Sequence, residues 1–171
     1  MLQYSQYNGK MRLALYQPDI APNVGTMLRL GACLGVPVDI IEPCGFPFGA
    51  RDLKRAVMDY AEAANVTRHV SWQEFNRNRP AGRLILLTTS AETTYTDFTF
   101  QESDTLLLGR ESAGVPATVH STADHRLCIP MAPNMRSINV ALSAAMVLGE
   151  ALRQTGHFST PYPSVESTER A

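Results

Sequence analysis

Three short stretches of this 171-residue chain each couple the end of an apolar run to a Gly, Pro or Thr. They are Leu87-Thr88-Thr89, Leu108-Gly109-Arg110-Glu111 and Ile129-Pro130-Met131. Where such turns meet, they can aim backbone N–H and C=O groups at a flat, polar-edged ligand such as adenine, while apolar side chains cover its faces. The usual phosphate-cradling devices are absent, since neither GxGxxG nor GxxxxGK[ST] occurs. HExxH and CxxC are absent too, so no metal is expected. A second group is basic. Arg51, Lys54 and Arg55 stand at i, i+3 and i+4 and share one face of a helix, and Arg68 and His69 follow in a short polar strand. A one-sided basic cluster suits a phosphate backbone. A solvated face neutralised by Asp52, Asp59 and Glu62 is the competing reading.

The elements that must position these residues read as alternating strands and helices. Residues 11–16 form a first strand, stopped by the turn Pro18-Asp19-Ile20-Ala21-Pro22. Asn23 is expected to cap a helix running to about Leu34, with Val24, Met27, Leu28, Leu30 and Cys33 at helical spacing and Gly35 closing it. Residues 36–42 are apolar nearly throughout, as strands buried on both faces are. Strand, helix and strand within about thirty residues argue for a βαβ unit and a parallel sheet. A helix over residues 51–60 and a short strand ending near Val70 follow. Ser71-Trp72-Gln73-Glu74 reads as a capping box. Residues 84–88 and 105–108 are buried strands, 91–103 a loop, and a short helix ends near Thr122. The strand 127–129 leads into a last helix, with Ser137 as its N-cap and Arg153 and Gly156 at its stop. In such a sheet a ligand sits at the carboxyl ends of the strands, where the three loops lie.

Composition is that of an ordinary globule, 44% hydrophobic and 18% charged, with the length of one domain. No run approaches the roughly 20 apolar residues of a membrane span, so no membrane is expected. Net charge −1 argues against a generally basic nucleic-acid binder, so RNA contact must come from a local patch. Cys33, Cys44 and Cys128 are an odd number without metal spacing. They read as small buried hydrophobes in a reducing cytoplasm. Residues 1–10 read as a loose polar leader, 11–156 as the domain, and 157–171 as a disordered Pro/Ser/Thr-rich tail.

Three segments, in order and at suitable spacing, resemble the motifs of the SpoU branch of the SPOUT RNA 2′-O-methyltransferases. They are Asn23-x-Gly25-x-x-x-Arg29, Leu108-Gly109-x-Glu111-x-x-Gly114-Val115 and Ile129-Pro130-Met131 with Ser137-x-Asn139-Val140. Leu15-Tyr16-Gln17-Pro18-Asp19-Ile20, Ile40-Ile41-Glu42-Pro43-x-Gly45-Phe46 and Val66-Thr67-Arg68-His69 are similar to the TrmL subgroup, which methylates the wobble ribose of certain tRNAs. The resemblance covers residues 11–156. It implies a SPOUT α/β-knot fold, with a mostly parallel sheet flanked by helices and a C-terminal deep trefoil knot. It also implies S-adenosylmethionine as cofactor, a cytoplasmic homodimer, and as substrate the cytidine or uridine at the wobble position in the anticodon region of tRNA(Leu)-type molecules. Topology rules alone argue against a knot.

Carried over residue by residue, the resemblance sets the cofactor against Leu87, Thr88, Gly109, Ile129, Met131 and Ser137, with Asn139 ordering the site. Arg29 is then the principal candidate for chemistry. Methyl transfer to a ribose 2′-OH needs the hydroxyl in line with the methyl donor and its developing charge stabilised. A guanidinium is hard to deprotonate, so hydrogen bonding to the 2′-oxygen or a phosphate suits Arg29 better than general-base work. Glu111 is the other proton acceptor, or braces Arg29 or its loop, and Asn23 serves as N-cap, site residue or both. Arg51, Lys54, Arg55, Arg68 and His69 are the RNA-binding candidates. The chain departs from the family pattern at Ala113, Ala141 and Gly149. These positions bear on substrate contacts and leave the cofactor loops intact. Another tRNA or rRNA nucleotide as target, or a non-catalytic RNA-binding knot protein, are the competing functions.

Overall fold

The computed structural model describes residues 10–47, 49 and 65–158. The expected leader up to residue 9, the tail from residue 159, and the helix over 51–60 with Arg51, Lys54 and Arg55 lie outside the described residues.

Among the described residues seven strands form one sheet: β1 (Arg12–Tyr16), β2 (Val38–Ile41), β3 (Val66–His69), β4 (Leu84–Leu87), β5 (Thr93–Thr94), β6 (Thr105–Leu108) and β7 (His125–Cys128). Their order is β3-β2-β1-β6-β4-β7-β5, and every pairing is parallel. The central strands β1, β2 and β6 are buried at every position, which explains their mostly apolar runs, interrupted by Arg12, Asp39 and Thr105. Side chains alternate between two cores. Leu13 and Leu15 point to one face, where helices α1 (Ala21–Leu34) and α4 (Val140–Thr155) pack side by side. Ala14 and Tyr16 point to the other, covered by α2 (Trp72–Asn78) and α3 (Ala117–Thr122) through Phe75 and Val119. Each fully buried Leu or Phe contributes about 1.5–3 kcal/mol.

The α2 start behaves as its sequence suggests. Ser71 Oγ accepts from Glu74 N at 3.1 Å, while the Glu74 carboxylate accepts from Val70 N at 2.6 Å, one residue before the cap. Four expectations are corrected. The α1 cap is Ile20 and not Asn23, because Pro22 suits the first turn and the helix starts three residues earlier. Ser137 does not cap α4. Asn139 does, its Oδ1 accepting from Ala141 N at 2.9 Å and Leu142 N at 3.3 Å. Residues 91–103 are not wholly loop: Thr93–Thr94 pair with β7, and a 3-10 turn spans Tyr95–Asp97. Cys33 is exposed and Cys44 and Cys128 half-buried, so none belongs to the fully buried core. Burial, with Glu42 nearby, still pushes the Cys44 thiol up to about 11.

Asp39 on β2 binds its two neighbouring strands together. It accepts from Arg12 Nε at 2.7 Å and lies 2.8 Å from His69 Nε2, and all three residues are buried. His69 also meets Phe75 edge-on at 5.3 Å. The expectation that His69 contacts RNA is therefore corrected: its ring is committed to Asp39 and is 5% exposed. Arg68 is exposed and pairs with Glu42, Nε to Oε1 at 2.6 Å.

Candidate active site

The order of the sheet reverses between β1 and β6, since β2 and β3 lie on one side and β4, β7 and β5 on the other. At such a switch point the connections leave in opposite directions and open a crevice at the carboxyl ends. A cavity of about 370 Å³ lies there, within the size range of small-ligand sites. Leu86, Leu108 and Leu127 form its floor where the strands stop, and Leu87, Ile129 and Met131 add apolar walls. Thr88, Gly109, Ser137, Asn23, Glu111 and Asn139 also line it. All six expected cofactor residues and three of the other expected site residues thus share one cavity.

The exception is Arg29. It is exposed on the outward face of α1 and does not line this cavity. At 100° per residue it lies about 120° round the helix from Asn23, on a different face.

Side-chain hydrogen bonds join the segments that follow β1, β6 and β7 at the mouth. Asn139 Nδ2 donates to Asn23 Oδ1 at 3.0 Å, and Asn23 Nδ2 donates to Glu111 Oε1 at 2.9 Å. Glu111 Oε2 accepts from Asp19 N at 3.0 Å, and Asp19 Oδ1 accepts from Glu111 N at 3.1 Å. Glu111 therefore braces the loops after β1 and β6, one of the two roles open to it from sequence. The Ser112 hydroxyl donates to Asp19 Oδ2. Hydrogen bonding at Glu111 first, and at Ser112 second, holds the Asp19 carboxyl down at about 2, so it is ionised at neutral pH.

The loop after β6 folds back on itself. Arg110 N donates to Gly114 O at 3.0 Å and Gly114 N to Arg110 O at 2.8 Å, with Gly114 at φ +64°. Sequence reasoning passed over Asp19 as a strand breaker, and over Arg110 and Ser112 as unassigned positions inside a motif. An acidic residue in the turn after a central strand is the signal that points to Asp19. Among the described residues no group of three or more His, Cys, Asp or Glu comes together as a metal site. No described helix is long and apolar enough to cross a membrane.

A parallel sheet with a cavity at its switch point, its mouth tied by hydrogen bonds between the segments after β1, β6 and β7, defines an α/β domain with a small-ligand-sized site at its strand ends. The chain belongs to the SpoU rRNA Methylase family, whose model matches residues 10–149. It is 60% identical over 146 residues to a tRNA (cytidine(34)-2'-O)-methyltransferase of Beijerinckia indica, covering 84% of this chain and 91% of that one. A solved structure from work on the 2-OH methylation of C/U34 on tRNA superposes with TM-score 0.79 at 36% identity, covering 85% of this chain and 95% of that chain. An AdoMet-bound rRNA methyltransferase from Sinorhizobium meliloti superposes with TM-score 0.75 at 26% identity, covering 85% of this chain and 57% of that chain.

Proposed function

We propose that this chain is an S-adenosylmethionine-dependent tRNA ribose 2′-O-methyltransferase acting on the wobble cytidine or uridine of tRNA(Leu)-type substrates. In this reading it works in the cytoplasm as a homodimer and carries a deep trefoil knot in its C-terminal part. The observation that carries the reading is the convergence of Leu87, Thr88, Gly109, Ile129, Met131 and Ser137 on one cavity whose mouth is held by Asn23, Glu111 and Asn139. The relatives described above, named for this reaction or bound to this cofactor, support it.

The lining fits the cofactor. Leu87, Ile129 and Met131 offer apolar contact to a purine, backbone groups of the three loops offer partners to its edge, and the polar mouth suits the ribose and amino-acid portions. When bound, the cofactor supplies an electrophilic methyl group on a sulfonium. The chain's part would be positioning: its mouth network ties the segments that would hold a ribose 2′-oxygen towards that methyl, and orientation of this kind can be worth about 7–11 kcal/mol of a barrier. Calorimetry is expected to show binding of S-adenosylhomocysteine, and tRNA from cells lacking the gene is expected to lose one wobble ribose methylation. No heat and no lost methyl would refute the assignment.

The dimer is supported by α4. Leu142 and Met146 are 59% and 41% exposed and share its outward face with Ala145, beside the cavity that Val140 and Ser143 line. Such an apolar stripe on a solvent face suits a second copy of the chain. Sedimentation should give twice the 18.8 kDa chain mass, and Leu142→Glu with Met146→Glu should shift it to monomer. A wild-type monomer that transfers methyl groups would contradict the dimer.

Arg29 lies outside its own chain's cavity, so its role in this reading is at the RNA or at the cavity of the partner copy. Arg29→Ala is expected to lower methyl transfer by about 100-fold, as loss of a transition-state donor does. Cofactor affinity should stay within about twofold, because the residue is not itself part of the lining. Retained transfer would remove Arg29 from the mechanism.

A further inference from the structure

We infer that Arg110 grips a phosphate of the RNA beside the reacting ribose and is a determinant of substrate affinity; the inference rests on the function proposed above. Among the described residues, Arg110 is the single basic one lining the cavity. Its guanidinium forms no hydrogen bond among the described residues, and its Nε is buried without a partner at that distance. The nearest anion is Asp19, whose Oδ2 lies 3.7 Å from Nε. Asp19 is itself occupied, since Glu111 N and the Ser112 hydroxyl donate to its two oxygens. Asp19 therefore attracts and orients the guanidinium without saturating its five donors.

A buried, unsatisfied guanidinium N–H costs free energy unless a ligand meets it. The backbone around it is fixed by the paired hydrogen bonds to Gly114, so the side chain starts from a rigid platform. At 32% side-chain exposure it stands at the rim of the cavity and not in the floor built by Leu86, Leu108 and Leu127. That position discriminates between the anions available. A cation deep in the cavity would repel a sulfonium, whereas one at the rim faces the polyanion that must approach from outside. A planar fork of N–H donors matches two phosphate oxygens, which is the geometry arginine recognises best.

The test is Arg110→Ala and Arg110→Lys in the full chain. tRNA binding is measured against salt, methyl-transfer kinetics against tRNA concentration, and S-adenosylhomocysteine binding by calorimetry, which also reports that the variant is folded. Arg110→Ala should raise the KM for tRNA roughly tenfold and reduce the slope of log affinity against log salt by about 0.7–0.9, the value of one phosphate contact. Cofactor affinity should remain within about twofold. Arg110→Lys keeps the point charge and should recover the salt slope while leaving KM raised, because the forked geometry is gone. An unchanged salt slope and tRNA KM in Arg110→Ala would overturn the inference. A selective loss of cofactor affinity would also overturn it, assigning Arg110 to the cofactor's carboxylate. Failure of the underlying function looks different: the wild-type chain would then transfer no methyl to tRNA at all.

Discussion

Gly109→Ala is expected to lower the affinity for S-adenosylhomocysteine by roughly 10- to 100-fold, the equivalent of about 1–3 kcal/mol of overpacking. A Cβ at this position would stand 2.7 Å from the Gly114 carbonyl carbon and 2.8 Å from its Cα. Those are backbone atoms, and they are held by the two hydrogen bonds between Arg110 and Gly114, so no side chain can swing aside. The loop itself must move, taking Arg110 and Glu111 with it, and Glu111 carries the ties to Asp19 and Asn23. The same substitution at Gly149 is the control. A Cβ there meets nothing within 4 Å, and the position is inside α4. Gly149→Ala should therefore stabilise the chain by about 0.5–1 kcal/mol through the unfolded state and leave cofactor affinity as it was. Calorimetry and thermal melting of the two variants separate the cases. A Gly109→Ala protein that binds as tightly as wild type would show that the fold-back of this loop does not shape the site.

Gly109 also shows what the sequence made legible and what it did not. Its place at the end of an apolar strand marked it as a site residue, but not the contact that requires a glycine there. The atoms closest to its absent side chain belong to Gly114. A contact between loop residues five apart in sequence depends on a turn at φ +64°, which no hydrophobic pattern announces. The strands were readable because burial on both faces leaves unbroken apolar runs such as Leu106-Leu107-Leu108. Boundaries at the helix starts were not. Asn and Ser both suit caps, and at α4 Asn139, which also reaches Asn23, holds the position in place of Ser137, while at α1 Pro22 moves the start back to Ile20. His69 went wrong for a related reason. In a polar tetrapeptide it reads as surface, and only the parallel register of β3 on β2 sets it on the same face as Asp39, within reach of its carboxylate. The backbone at Gln17, with φ +43° where β1 enters the site, is a further conformation fixed by the surrounding fold and not by residue type.

Asn139 joins the two halves of the site, and a pair of substitutions separates its functions. Its Oδ1 caps α4 through Ala141 N and Leu142 N, while its Nδ2 donates to Asn23 Oδ1 and so reaches Glu111. Asn139→Ala removes both. The lost cap costs about 1 kcal/mol, which for a domain of this size lowers the melting temperature by about 2–4 °C. Methyl transfer should fall by about 100-fold, since the mouth loops lose their common tie and a shift of about 1 Å at a reacting centre costs that much. Asn139→Asp keeps an acceptor at the helix start, where a carboxylate is also favoured by the helix dipole, so the melting temperature should hold. It has no N–H to offer Asn23 Oδ1, and it brings a negative charge towards the Asn23–Glu111 pair. Transfer should therefore fall in Asn139→Asp about as far as in Asn139→Ala, without the loss of stability. Two variants equally inactive but unequally stable mean that the link from Asn139 through Asn23 to Glu111 orders the reacting groups. An Asn139→Asp protein with wild-type transfer would reduce Asn139 to a helix cap and leave the alignment of the ribose to other residues.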